Sequence, residues 1–305
     1  MQSLHRAPVA EDEIDELGHF SAPFYDRRAY LATAAIAAQM GFDQGRLASE
    51  GLELVIVDAY RANLAEQFRG ADLEVIGGAI EVTPARLRCY HEIRNVDTGV
   101  LSSTFVHEAV LRRVTDAVHV PWPRTAVATA SSLLVEWPEQ GRGRSIDLEH
   151  KPVMPLYADV ESRAFTLPQS ISPEDCDENG RFLTEVYQGL PYNGEKVDAE
   201  LGQWVIETED GRTLGVADLE TRNIYHAIPE AGLSYQVFSA PTSISGKTYV
   251  RHYWAFDIND KTLLATFVVV AIMLDLDARR SAEIPPSMLK KMQAELLPAL
   301  GARGD

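Results

Sequence analysis

The chain has 305 residues, enough to bury a sizeable core or two. A net charge of −17 argues against nucleic acid as a partner, because neutralising phosphates takes a basic surface, and against docking on an anionic membrane. Two cysteines, Cys89 and Cys176, are too few for a disulfide framework and predict a reduced, cytoplasmic setting.

The first residues lack the apolar core of a signal peptide, and no apolar run reaches bilayer length; Leu263 to Leu274 comes nearest. In chain order, an extended piece from Leu4 to Ala10 leads to an Asp15-x-x-Gly18 turn. Phe20 to Met40 then reads as a helix. Its core is apolar or small almost all round, which predicts burial on most sides, and Gly41 is placed to end it. Leu52 to Tyr60, Leu73 to Val82, Arg86 to Asn95 and Leu101 to Val114 are rich in β-branched and aromatic residues and read as strands. Asp97-Thr98-Gly99 is a hairpin signal between the last two. Pro123 opens a helix-like tail, Ala126 to Trp137, and the polar, Gly-rich Glu139 to Ser145 reads as a linker.

The series then repeats. Displaced by 162 residues, Asp15, Gly18, Phe20 and Tyr25 fall on Asp177, Gly180, Phe182 and Tyr187. Pro123 falls on Pro285, with no evident gap between. The second copy has an extended piece, Thr166 to Ser172, and strands Gly215 to Tyr225, Ser234 to Ile244, Thr248 to Ile258 and Leu263 to Leu274. Its tail helix is Met288 to Leu297. A period this long is a duplicated domain. The expected division is 1–140 for unit 1, 141–160 for a linker and 161–305 for unit 2. Each copy reads as a strand, a turn, one long helix and an antiparallel meander. One helix covers a sheet best if the sheet curves around it, so the fold class is α+β, with two such sheets joined edge to edge. The copies differ at one point: Pro191 falls in the second helix region, which is therefore short or kinked.

Few other residues point to chemistry. The histidines never fall at metal-ligand spacing, so no metal is expected. No Gly-x-Ser-x-Gly elbow occurs. Cys176 lies between Asp175 and Asp177, whose charge should raise its pKa and blunt it. Gly77-Gly78 inside a strand marks a bulge or tight packing. Arg61, Arg69, Arg222, Lys247 and Arg251 are candidates for anion contacts, with solvated surface charge the plainer expectation.

The layout resembles the hotdog-fold acyl-CoA thioesterases, in the branch of 4-hydroxybenzoyl-CoA thioesterase. The residues that carry the resemblance are Asp15-x-x-Gly18-His19 before a buried helix, with Tyr25 seven residues after the Gly. Asp175-x-Asp177-x-x-Gly180 with Tyr187 repeats them, and Ile284-Pro285 resembles the closing Ile-Pro segment of many such domains. Ser21, Ala22, Leu183 and Thr184 stand where the family often has Asn, and Arg181 where His is common. The resemblance implies a double hotdog: two tandem units, each an antiparallel sheet wrapped around one long helix, together mimicking the family's usual homodimer. It also implies an acyl-CoA or acyl-carrier substrate, no cofactor beyond the coenzyme A of that substrate, and room for a homo-oligomer of such pseudo-dimers.

Thioester hydrolysis suits these residue types. An Asp before a helix can act as nucleophile or as general base for water. Amides at a helix N-terminus can hold an oxyanion. On this reading Asp15 and Asp177 are catalytic, assisted by His19. The amides around Gly18-His19 and Gly180-Arg181 polarise the carbonyl, and Tyr25 and Tyr187 line the acyl pocket. The plainer reading is that each Asp closes a turn, and each Tyr belongs to the core. Two rival functions remain: a hotdog hydratase or dehydratase, whose His-x-x-x-Gly-x-x-x-x-Pro or Asp-(x)4-His patterns are not found before the helix, and a non-catalytic acyl-CoA-binding protein.

Overall fold

The computed structural model describes residues 1–15, 18–197, 205–208 and 211–301, with side chains at all of these but 184 and 185. The chain divides into two compact units, Met1–Gly143 and Arg144–Asp305.

The first unit runs β1 (Gln2–Pro8), α1 (Ala22–Gln39), α2 (Gln44–Glu50), β2 (Leu52–Asn63), β3 (Asp72–Val82), β4 (Leu87–Asn95), β5 (Leu101–Arg113), β6 (His119–Val120) and α3 (Arg124–Ala130). Its strands pair antiparallel in the order β1-β3-β4-β5-β2, with β6 beside β5. The buried residues of α1 are Tyr25, Arg28, Ala29, Ala32, Thr33, Ile36 and Ala37. Their spacing of three and four turns one stripe to the sheet. The helix is not buried on most sides, as its composition suggested. Leu31 is 43% exposed, and small Ala side chains carry little apolar area to hide, so leaving them near water costs little. Within the buried stripe, Thr33 Oγ1 lies 2.8 Å from His91 Nε2 and 2.9 Å from His107 Nδ1. Burial lowers both imidazoles, His107 to about 4, so this bridge joins neutral rings. Gly41 has φ +91° and follows the helix, as its position suggested. Both faces of β3 are tight at Gly77-Gly78: a Cβ on Gly77 would meet His91, and one on Gly78 would lie 2.6 Å from Val135 Cγ1.

The second unit runs α4 (Tyr157–Val160), β7 (Gln169–Ser170), α5 (Thr184–Tyr187), β8 (Val205–Glu207), β9 (Thr213–Tyr225), β10 (Ser234–Ser245), β11 (Thr248–Asp257), β12 (Leu263–Asp275), β13 (Arg280–Ser281) and α6 (Pro286–Glu295). The strand order is β9-β12-β11-β10-β7, again antiparallel, with β8 on β9 and β13 on β12.

The repeat extends to the irregularities of the sheets. The register of β3 on β4 shifts between Ala79 and Glu81, and that of β10 on β11 between Pro241 and Ser243. The shift past Ser102 in β5 recurs past Leu264 in β12. Bulges fix where a strand bends, so both sheets bend at equivalent places. Hydrogen bonds repeat as well: Phe20 N to Gln67 O at 2.8 Å becomes Phe182 N to Pro229 O at 2.9 Å.

Two expectations need correction. The second unit lacks a long helix among the described residues between β7 and β9: α5 has four residues. Gly189 N then closes a turn on Val186 O, and Pro191 lacks the amide that would extend the helix. Residues 198–204 lie outside the described set. The first tail helix ends early, at Ala130, because Leu134 turns out to bridge Ala79 in parallel and Val135 N donates to Ala79 O at 2.8 Å. The Gly-rich segment after Pro138 does not run free. Gly141 is buried against the Tyr90 ring in unit 1. Within unit 2, the amides of Arg144, Ser145 and Ile146 donate to the buried Glu220 carboxylate.

The two equivalent phenylalanines, Phe20 and Phe182, are 4% and 5% exposed and anchor each turn to its unit. Phe182→Ala should lower stability by about 3–5 kcal/mol in urea denaturation, and Phe68→Ala, at a ring 52% exposed, by less than about 0.5 kcal/mol. Equal losses would contradict this packing.

Candidate active site

Both units build the same turn at the entry of the helix. In the first, Asp15 N donates to His19 O at 2.8 Å, Gly18 N to Asp15 O at 3.0 Å, and His19 N to Asp15 Oδ1 at 2.9 Å. In the second, Asp177 N donates to Arg181 O at 2.7 Å, Gly180 N to Asp177 O at 2.9 Å, and Arg181 N to Asp177 Oδ1 at 2.9 Å. Asp177 Oδ1 also accepts from Asn179 N. Gly18 and Gly180 have φ of +84° and +76°, a region L side chains rarely enter. Each turn is flanked by a bridge, Ile14 to Phe20 and Cys176 to Phe182. The amides named as oxyanion donors from sequence, those of Gly18, His19, Gly180 and Arg181, therefore all donate within their own turns. At the start of α1, Ser21 supplies no side-chain cap and Pro23 stands in the first turn, so positive potential remains at the helix N-terminus.

The tyrosines lie deeper. Tyr25 is 8% exposed, its hydroxyl 2.9 Å from Ser102 Oγ, which in turn donates to Ala65 O. Tyr187 is 1% exposed and its hydroxyl donates to Leu264 O at 2.8 Å, with Ala227 O at 3.0 Å. Each ties the helix start to the bulge residue of the neighbouring strand. Their rings pack on Phe20 and Phe182.

The units differ around this shared frame. His19 Nε2 lies 3.6 Å from Glu66 Oε2, and its ring meets Phe68 edge-on. At the positions equivalent to His19, Glu66 and Phe68 the second unit has Arg181, Ile228 and Glu230, with an antiparallel backbone β-bridge between Arg181 and Glu230. Among the described residues, an imidazole–carboxylate pair beside the turn is thus found in unit 1 and not in unit 2. Sequence reasoning missed Glu66, which is separated from His19 by the whole of α1 and β2.

It also missed Asp26, one turn inside α1. Its Oδ2 accepts from Arg61 Nη1 at 2.7 Å, and the same nitrogen donates to Ala22 O at 3.1 Å. Burial raises Asp26 to about 6, against the opposing pull of the guanidinium. Raised pKa values mark candidate acids and bases. Gln188 holds the equivalent place in unit 2. Arg28 pairs with Glu13 at 2.7 Å and donates to Ala7 O, which locks α1 to β1 beside the turn.

The basic residues weighed as solvated charge are mostly structural. Arg61 and Arg222 are 5% and 4% exposed; Arg222 donates to the carbonyls of Asp147 and His150. Arg251 donates to Ser239 Oγ, Arg69 pairs with Glu11, and Lys247 donates to Ser281. Both cysteines are free thiols. Burial, then Asp175 and Asp177, raise Cys176. Among the described residues no cluster of His, Cys, Asp or Glu is placed to hold a metal, and no helix is long and apolar enough to cross a membrane.

No protein-family model matches the sequence, and no curated protein matches it. Solved structures do. The chain is similar to an acyl-ACP thioesterase from Bacteroides thetaiotaomicron, at 12% identity and a TM-score of 0.64, over 88% of this chain and 96% of that one. It is similar to the 12:0-ACP thioesterase from Umbellularia californica at 13% identity and a TM-score of 0.67, over 88% of this chain and 93% of that one. At such identity the likeness is one of fold alone: antiparallel sheets with few helices.

An acid whose folded pKa is raised stabilises the fold below its unfolded value and loses that contribution as pH rises through the folded one. For Asp26 the window runs from about 4 to about 6. Carbon-detected NMR of its carboxyl should give a midpoint near 6. A midpoint in the ordinary Asp range, near 4, would contradict the desolvation of this half-buried carboxyl.

Proposed function

We propose that the chain is a tandem double hotdog that hydrolyses acyl thioesters carried on coenzyme A or on an acyl-carrier protein. The reading rests above all on the turn of Asp15, with its unit-1 imidazole–carboxylate pair, on a fold that thioesterases share. Asp15 acts as nucleophile or as the base that activates water. His19, whose Nε2 lies 3.6 Å from Glu66 Oε2, passes a proton to the leaving thiolate. The uncapped first turn of α1 supplies positive potential where negative charge develops on the carbonyl oxygen. Unit 2, with Arg181 in place of His19, keeps the turn as a scaffold. The proposed domains are two hotdog units with the segment 141–160 between them.

One observation favours a rival. The four amides named as oxyanion donors donate inside their turns, and both Asp side chains do what turn-closing residues do. This suits a non-catalytic acyl-thioester-binding protein that keeps the fold.

Thiol release from a panel of acyl-CoAs and acyl-carrier proteins separates the two. Asp15→Asn should cut turnover roughly a hundredfold or more, and Asp177→Asn by less than tenfold, with thermal stability close to the parent in both. An Asp15→Asn variant that hydrolyses every substrate like the parent would remove the carboxylate from the mechanism.

A further inference from the structure

The duplication supplies an internal control. In unit 1, Tyr60 and Tyr90 are 1% and 0% exposed, and Gly141 closes over the Tyr90 ring. Their equivalents in unit 2 are Arg222 and His252. Two large rings are thus replaced by a guanidinium and an imidazole, and a cavity of about 250 Å³ lies at this place. It is lined by Arg222, His252 and Thr242, by the loop from Ser145 to Pro152, and by Val250 and Val268. His252 lies on the face of β11 opposite Tyr253 by strand alternation. Tyr253 packs on Phe165 and Tyr192, so the cavity is on the other side of the sheet from those rings.

The site is built. Arg222 Nη1 clamps the loop through the carbonyls of Asp147 and His150. Asp147 shapes the same loop by accepting from the amides of Glu149 and His150 and pairing with the His150 ring at 3.0 Å. His252 Nδ1 is held 3.0 Å from Thr242 Oγ1, at the bulge of β10. Burial lowers His252 to about 4, so its ring is neutral at physiological pH. Arg222 and the exposed Lys151 bring two positive charges to the lining, and Asp147 one negative charge. The balance suits a monoanion better than a phosphate dianion. The walls at Ile146, Pro152, Val250 and Val268 are apolar and ask for an apolar body on that anion.

We propose that this cavity binds a small organic monoanion, a carboxylate on a short apolar chain, with Arg222 and Lys151 facing the charge. A cavity of about 250 Å³ holds several water-sized groups, enough for a short chain. The site is independent of the thioester reading: it uses none of the residues of either Asp turn.

Calorimetric titration of the full chain with hexanoate, acetate and inorganic phosphate tests it. Hexanoate should bind saturably at one site, and acetate and phosphate at least tenfold more weakly. Lys151→Gln, at an exposed position, should weaken hexanoate at least threefold. His252→Tyr, which restores the ring of unit 1, should weaken it at least tenfold. The Asp15→Asn/Asp177→Asn double variant should bind as the parent does. Absence of hexanoate binding, phosphate binding as tight as hexanoate, or unchanged affinity in Lys151→Gln would overturn the proposal. So would loss of binding in the double Asp variant, which would move the carboxylate to the Asp turns.

Discussion

One hydrogen bond sets the frame of each unit: the carboxylate oxygen of an Asp accepting the amide four residues on, at 2.9 Å in both. That bond closes the turn only because a glycine with positive φ sits just before the donating residue. The closed turn delivers Phe20 or Phe182 to the core and starts the helix two residues later. Tyr25 or Tyr187 then fastens the helix start to the bulge of the adjacent strand. Turn, ring and bulge are mutually supporting, which is why all three persist in both copies while the residues around them have changed.

What changed is the chemistry hung on that frame. Unit 1 has His19 facing Glu66, Asp26 paired with Arg61, and an eighteen-residue helix. Unit 2 has Arg181, Gln188 and a four-residue helix. A preorganised site needs support from packed elements, and only the first unit has a long helix behind its turn among the described residues. The units differ elsewhere too: where unit 1 buries Tyr60 and Tyr90, unit 2 has Arg222 and His252, which line a cavity.

Much of the architecture was legible because it rests on local rules. The strands of both meanders lie within two or three residues of where β-branched runs and hairpin signals put them, and Gly41 and the Asp97–Gly99 turn behave as their types require. The shift of 162 residues was readable as identity at a handful of positions, and its persistence in bulges and carbonyl partners is the structural counterpart. The failures share a cause. An Ala-rich stretch reads as apolar all round, yet the area it would hide is small, so one face stays near water. Arg61 and Arg222 read as surface charge because nothing local announces Asp26 or two loop carbonyls as their partners. Glu66 and the cavity of unit 2 arise from long-range juxtaposition and from what a missing ring leaves behind, which no window of sequence displays. The role of the Asp as turn-closer or catalyst stays open in sequence because one side chain geometry serves both.

The central claim is that the two turns share a frame and differ in function, with the imidazole of unit 1 as the distinguishing group. The most direct measurement is the rate of thiol release from the best acyl thioester substrate in His19→Gln compared with Arg181→Gln. Loss of a positioned proton donor should cost His19→Gln roughly a hundredfold, and Arg181→Gln should stay within about threefold of the parent. Equal effects of the two substitutions, or a loss confined to Arg181→Gln, would contradict the account.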